Sequence, residues 1–154
     1  MRSSVRAVIV KEGKILCLKL VDCTDEGQVH YYMLPGGEQS NVENLFDAIC
    51  RHCYEKINAK VKVRDLLFVR DFTEPYYDGN ESQLTHAMEH IFLCHMDDET
   101  VVKNGIQPEV NQIDVEWVPI RDLTDVYFYP QQLRDALHAF CKGEDVEIYL
   151  NELM

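Results

Sequence analysis

Residues 5–10 and 14–20 form two strand-like apolar runs, and Glu12-Gly13 between them predicts a hairpin. Residues 22–28 are polar and read as an exposed loop. Residues 30–34 read as a short strand that stops at Pro35-Gly36-Gly37. Residues 41–57 carry the clearest helical pattern: Ser40 and Glu43 have capping-box spacing, Val42 opens the apolar repeat, and Asn58 supplies a left-handed stop. Residues 61–72 are rich in β-branched and aromatic types and predict one or two strands. The segment 74–83 reads as a loop with adjacent Tyr76 and Tyr77. Residues 87–96 have the long apolar run of a central strand buried on both faces. After a polar excursion at 97–113, residues 115–120 predict another strand and 130–141 a second amphipathic helix.

Strands outnumber helices, and the helices fall between strand groups. The order predicts an α+β domain, a mixed β-sheet with helices packed on it in an α/β/α sandwich. A length of 154 residues fits one domain able to bury a core without disulfides, and neither repeats nor a linker divide it. The formal charge of −12 argues against a nucleic-acid-binding surface but not against a small phosphorylated ligand held by a few cations or a metal. No apolar stretch approaches a membrane span. The N-terminal apolar run passes into Lys11 and Glu12 without a small-residue cleavage site. The six cysteines are then expected to be reduced thiols in a cytoplasmic protein.

At about 100° per residue the first helix separates into faces. Val42, Leu45, Phe46, Ile49, Cys53 and Ile57 share a core stripe. Glu43, Asp47 and Arg51 lie four apart on one flank, able to form ion pairs. His52, Glu55 and Lys56 cluster on the other. The Gly36-Gly37 loop just ahead can bring backbone N–H groups to an anion.

This region resembles the Nudix hydrolases, whose box reads G-x5-E-x7-R-E-U-x-E-E-x-G-U with U a bulky apolar residue. Gly37, Glu43 and Arg51 match in register, Glu55 matches the first glutamate of the E-E pair, and Leu34-Pro35-Gly36-Gly37 is similar to the usual lead-in. The strand order and Glu116-Trp117-Val118-Pro119 extend the resemblance over nearly the whole chain. His52 stands where the family has Glu, Lys56 where it has the second Glu of the pair, Asn58 where it has Gly, and Ala59 at the last apolar position.

In the family these glutamates hold divalent cations that bridge a pyrophosphate and help activate water. Here His52, Glu55 and Lys56 sum to about zero charge, and an ammonium 4–6 Å from a cation is repulsive even at an effective dielectric near 20. Three readings follow. As a hydrolase cleaving the phosphoanhydride of a nucleoside diphosphate derivative, the chain uses Glu55 as chief metal ligand, with His52 as auxiliary ligand or base and Glu89 as supplementary ligand. Imidazole suits Mn²⁺ or Zn²⁺ better than Mg²⁺. As a nucleotide-binding module without turnover, Lys56 replaces the cation, Gly36 and Gly37 assist, and Tyr76, Tyr77 or Phe128 stacks on a base. As a protein-interaction fold, the site is unused. The resemblance favours the hydrolase, whereas the ligand chemistry points away from it. Glu43 and Arg51 organise the box in every reading. An exposed edge strand can support a homodimer.

Cys50-x-x-Cys53 lies mid-helix and so reads as packing, not as a metal or redox motif. His86, His90 and Cys94 read as one face of a packed strand.

Overall fold

The computed structural model describes residues 1–153. Its elements are β1 (Arg2–Val8), β2 (Val10–Lys11), β3 (Lys14–Thr24), β4 (Gly27–Met33), β5 (Gly36–Glu38), α1 (Leu45–Ile57), β6 (Val61–Asp78), β7 (Glu81–Met96), β8 (Gln112–Pro119), a 3-10 helix (Ile120–Asp125), α2 (Gln131–Cys141) and β9 (Tyr149–Asn151). One sheet runs β5-β1-β7-β6-β9, with β1 parallel to β7 and β9 parallel to β6; the other joins β2, β3 and β4, with β8 on β3. Glu12 and Gly13 both take positive φ (51° and 76°), which is what a two-residue hairpin between β2 and β3 requires. β1 lies in the other sheet, so the chain changes sheets between Val8 and Val10.

Because successive strand residues face opposite ways, each central strand feeds two cores. Val5, Ala7, Leu16, Leu18, Leu20, Phe92, Cys94 and Met96 pack with Ile49, Cys53 and Ile57 of α1. Val8, Ile15, Cys17, Phe68 and Ile91 pack with Leu133 and Leu137 of α2. The helices therefore cover opposite faces of the β-layers, the expected α+β sandwich with its mixed sheet. β7 is central and buried as expected.

Several expected boundaries move. The loop at 22–28 is a hairpin: β3 continues to Thr24 and pairs with β4 from Gly27, Thr24 Oγ1 donating to the Gly27 carbonyl at 2.8 Å. Both faces are solvated there, which removes the apolar alternation that marks a strand. For the same reason the tyrosine loop at 74–83 is the outer part of one long β6–β7 hairpin, with Tyr76 opposite Gln83 and Tyr77 opposite Ser82. The first helix starts at Leu45, four residues later than its pattern suggests. Asn44 caps it by accepting from Asp47 N–H at 2.8 Å, whereas Ser40 N–H donates to Glu43 Oε1 in the turn before it. Val42 is 95% exposed as a result and leaves the core stripe. Asn58 ends the helix in the left-handed conformation (φ 57°). The acidic tail contributes β9, whose Leu150 reaches the α2-side core.

Candidate functional site

Gly37, His52 and Lys56 of the box, but not Glu43, Arg51 or Glu55, line a cavity of about 390 Å³ that is also bounded by Arg2, Ser4 and Arg6 of β1, Glu38 of β5, Phe72 and Glu74 of β6, Ala87 and Glu89 of β7, and Glu109. Gly36 and Gly37 are not a loop here. They are strand residues of β5, paired antiparallel with Arg6 and Val5. Their lack of side chains serves close packing: a Cβ on Gly36 would collide with the Val5 carbonyl, and one on Gly37 would enter the His52 ring, 2.7 Å from Nδ1. Gly37→Ala must therefore displace His52, and is expected to cost about 1–3 kcal/mol of stability, checked by denaturant unfolding.

Arg51 holds the box together. Its Nη2 and Nε donate to Glu43 at 2.6 and 3.1 Å, Nη1 to Glu55 at 3.3 Å and Nη2 to the Glu38 carbonyl at 3.1 Å. Hydrogen bonding from Arg51 takes the Glu43 carboxyl from its ordinary 4.5 down to about 2. A carboxylate depressed in the folded state contributes stability above its unfolded pKa and loses it as pH falls through the folded one. Acid titration of stability should therefore show a loss between pH 4.5 and 2 that is smaller in Arg51→Gln.

His52 is buried, and its Nε2 lies 2.7 Å from the Glu38 carbonyl, so that nitrogen carries the proton. Burial keeps its pKa below the ordinary value, and Nδ1 is enclosed without a partner among the described residues. The Lys56 ammonium is also buried. It donates to the Gly36 carbonyl at 2.6 Å and pairs with Glu109. Burial lowers its pKa, and the Glu109 hydrogen bond opposes that shift. Glu89 accepts from Arg70 Nη1 at 2.6 Å and from Arg6 Nε at 3.0 Å. Burial alone would raise its pKa, but the two guanidiniums more than offset this and hold the carboxyl below its usual range.

The structure thus brings His52, Glu55, Lys56, Glu43 and Arg51 together but does not aim them at one point. Glu55 leans onto Arg51, both Glu89 oxygens are engaged by guanidiniums, and His52 Nε2 is taken by the Glu38 carbonyl while its Nδ1 is enclosed without a partner among the described residues. Among the described residues no three His, Cys, Asp or Glu side chains are grouped to hold a metal ion. The side chains present do not fit the divalent cluster expected from Glu55, His52 and Glu89, because Arg51 engages Glu55, Arg6 and Arg70 engage Glu89, and the Lys56 ammonium lies beside them. Tyr76 and Tyr77 stand on the exposed hairpin, the Tyr76 hydroxyl donating to Gln83 at 2.6 Å, and neither lines this cavity. Phe128 is buried beneath a separate aromatic groove with Tyr31, Tyr127 and Tyr129. Cys50 is exposed and Cys53 buried.

Residue spacing alone pointed to neither the cations Arg2, Arg6 and Arg70 nor their counterpart Glu109. A usable signal was present: Arg2, Ser4 and Arg6 alternate, so on a strand they share one polar face. Glu109 had none, because residues 97–111 approach α1 through backbone bonds. Lys103, Gly105 and Gln107 N–H groups donate to the Ile57, Lys56 and Glu55 carbonyls, and Gln112 Nε2 also donates to Lys56.

No protein-family model matches the sequence, and no curated protein is similar to it in sequence. Solved structures are similar to it in fold. A Nudix hydrolase from Nitrosomonas europaea aligns with a TM-score of 0.68 at 18% identity, over 97% of this chain and 77% of that one. A MutT protein from Methanosarcina mazei gives 0.66 at 19% identity over 92% and 93%. An ADP-ribose pyrophosphatase from Streptococcus suis gives 0.63 at 15% identity over 98% of each. The chain has the Nudix fold.

Proposed function

From that fold, we propose that the chain binds a small phosphorylated molecule of the nucleoside diphosphate type without relying on a divalent-cation cluster, and that metal-dependent turnover is lost or strongly reduced. The observation that carries this reading is the buried Lys56 ammonium between the Gly36 carbonyl and Glu109, at the box position where the resemblance calls for a metal-binding glutamate. A cation built into the helix does the neutralising work of a bound ion, in the manner of a phosphate-binding lysine. Arg2 and Arg6 add two further cations to the lining of the same cavity, beside the carboxylates Glu38, Glu74, Glu89 and Glu109.

The carboxylates on these cations mark where an anion would enter. Glu109 on Lys56, and Glu38 and Glu74 on Arg2, are each at least one-third exposed, so each can swing into water when a phosphate takes its place. Such an exchange replaces one charge pair by another and adds bidentate geometry at the guanidiniums. Glu89 differs, being sealed between Arg6 and Arg70, and stays as the support that fixes Arg6. The competing hydrolase reading rests on Glu55 as the remaining box carboxylate, and Arg51 already engages it.

ADP-ribose is a suitable first ligand, since it offers a diphosphate between two sugars. Charged hydrogen bonds contribute about 1.5–3 kcal/mol each, so Lys56→Ala and Arg6→Ala should each weaken its binding by roughly 10- to 100-fold in metal-free calorimetry. Unchanged affinity in both folded variants would contradict the proposal.

A further inference from the structure

An open aromatic groove of about 510 Å³ shares no lining residue with the candidate site, and strand geometry builds it. Residues 127–129 run beside β4 as a short parallel bridge: Tyr32 N–H donates to the Tyr127 carbonyl and Tyr129 N–H to the Tyr32 carbonyl, both at 2.9 Å. Tyr32 and Phe128 point together into the α2-side core. Alternation therefore sends Tyr127 and Tyr129 to the opposite face, next to Tyr31 of β4. Asp22 of β3 pairs directly opposite Val29, so its carboxylate joins that same face.

Charge and ring faces select what this groove holds. Among its lining residues Asp22 carries the only charge. Among the described residues that carboxylate has no cationic partner. Asn111 Nδ2 donates to Asp22 Oδ1 at 3.0 Å and to the Tyr31 hydroxyl at 2.8 Å, holding carboxylate and ring in one wall. Tyr127 and Tyr129 are 75% and 58% exposed, and among the described residues neither ring pairs with another aromatic ring or lies under a cation. A phosphate would meet only the Asp22 carboxylate here, and a neutral ring would leave that charge unmatched. An alkylated ammonium answers both features: its methyl groups pack on the tyrosine faces, whose quadrupole attracts a cation, and Asp22 balances its charge. The volume is that of a small-molecule site.

We propose that this groove binds a small organic cation of the quaternary ammonium type, with Tyr31, Tyr127 and Tyr129 around its methyl groups and Asp22 against its charge. The test titrates choline into the full chain, beside its neutral tert-butyl isostere (carbon in place of the ammonium nitrogen), adenosine and a trimethyllysine peptide. Binding is read from the ring-current shift of the methyl protons and from calorimetry. Choline should bind roughly 10-fold or more tightly than the isostere, since only the charge differs. Asp22→Asn, which keeps the hydrogen bond from Asn111, and Tyr127→Leu, which keeps apolar bulk, both lie at exposed positions. Each should weaken choline roughly 5-fold or more while thermal unfolding is unchanged. Equal binding of choline and the isostere, unchanged affinity in either folded variant, or tighter binding of adenosine would overturn the proposal. Tighter binding of the peptide than of choline would overturn the assignment to a small molecule.

Discussion

Replacing His52 and Lys56 together by glutamate is expected to create a divalent-cation site where the described residues group no three His, Cys, Asp or Glu side chains. Two new carboxylates would join Glu55 on one helix flank, and Glu109, released from its ammonium, would add another. Two unit charges about 4 Å apart interact by about 4 kcal/mol at an effective dielectric near 20, so exchanging an ammonium for a carboxylate changes local cation affinity by orders of magnitude. Without metal the variant should be less stable by about 3–5 kcal/mol, since the Gly36 carbonyl and Glu109 lose their buried partner and like charges gather. Mn²⁺ at a hundred times its Kd should return about 2.7 kcal/mol, raising Tm by roughly 5–10 °C. The natural chain should show no such rise. Scanning calorimetry with and without Mn²⁺ measures both. A folded variant with no metal-dependent shift would mean that the box geometry, and not its charge, has been lost.

The second large effect is expected at Arg70, a residue remote from the box in sequence. The residue is 3% exposed, and its guanidinium donates to Glu89 at 2.6 Å and to Glu152 at 2.8 Å and lies 3.9 Å over the Phe72 ring. It joins the central strand to the C-terminal tail that carries β9. Arg70→Ala leaves two carboxylates short of a partner in a poorly solvated place, a loss of about 3–5 kcal/mol. For a chain of this size that lowers Tm by roughly 6–20 °C. Replacing Arg70 by Met and Glu89 by Leu together should recover part of the loss, because removing both charges also removes the cost of burying them. Thermal unfolding of the single and double variants checks this, and a double variant as unstable as Arg70→Ala would show that packing, not charge, dominates there.

The fold was largely legible in the sequence because apolar periodicity survives wherever a strand or helix has a buried face. Central β7, the Ile49–Cys53–Ile57 stripe and the Asn58 stop all have such a face or a special backbone requirement. The hairpins at 22–28 and 74–83 were not legible because water covers both of their faces. Val42 misled because hydrophobicity does not reveal which of two overlapping caps, Ser40 or Asn44, opens the helix. At the site, spacing was enough to group His52, Glu55 and Lys56, and the charge sum was enough to question a metal cluster. Spacing did not reveal that Arg6 and Arg70 enclose Glu89, a contact that depends on β1, β6 and β7 lying side by side.

Titration of the natural chain with ADP-ribose by calorimetry, once in excess EDTA and once with Mn²⁺, tests the central claim most directly. Equal affinity in the two experiments, with the ligand recovered intact, is the result predicted if Lys56 and the neighbouring arginines replace the metal. Binding that appears only with Mn²⁺, or ADP-ribose cleaved when Mn²⁺ is present, would contradict it and return the chain to metal-dependent hydrolysis.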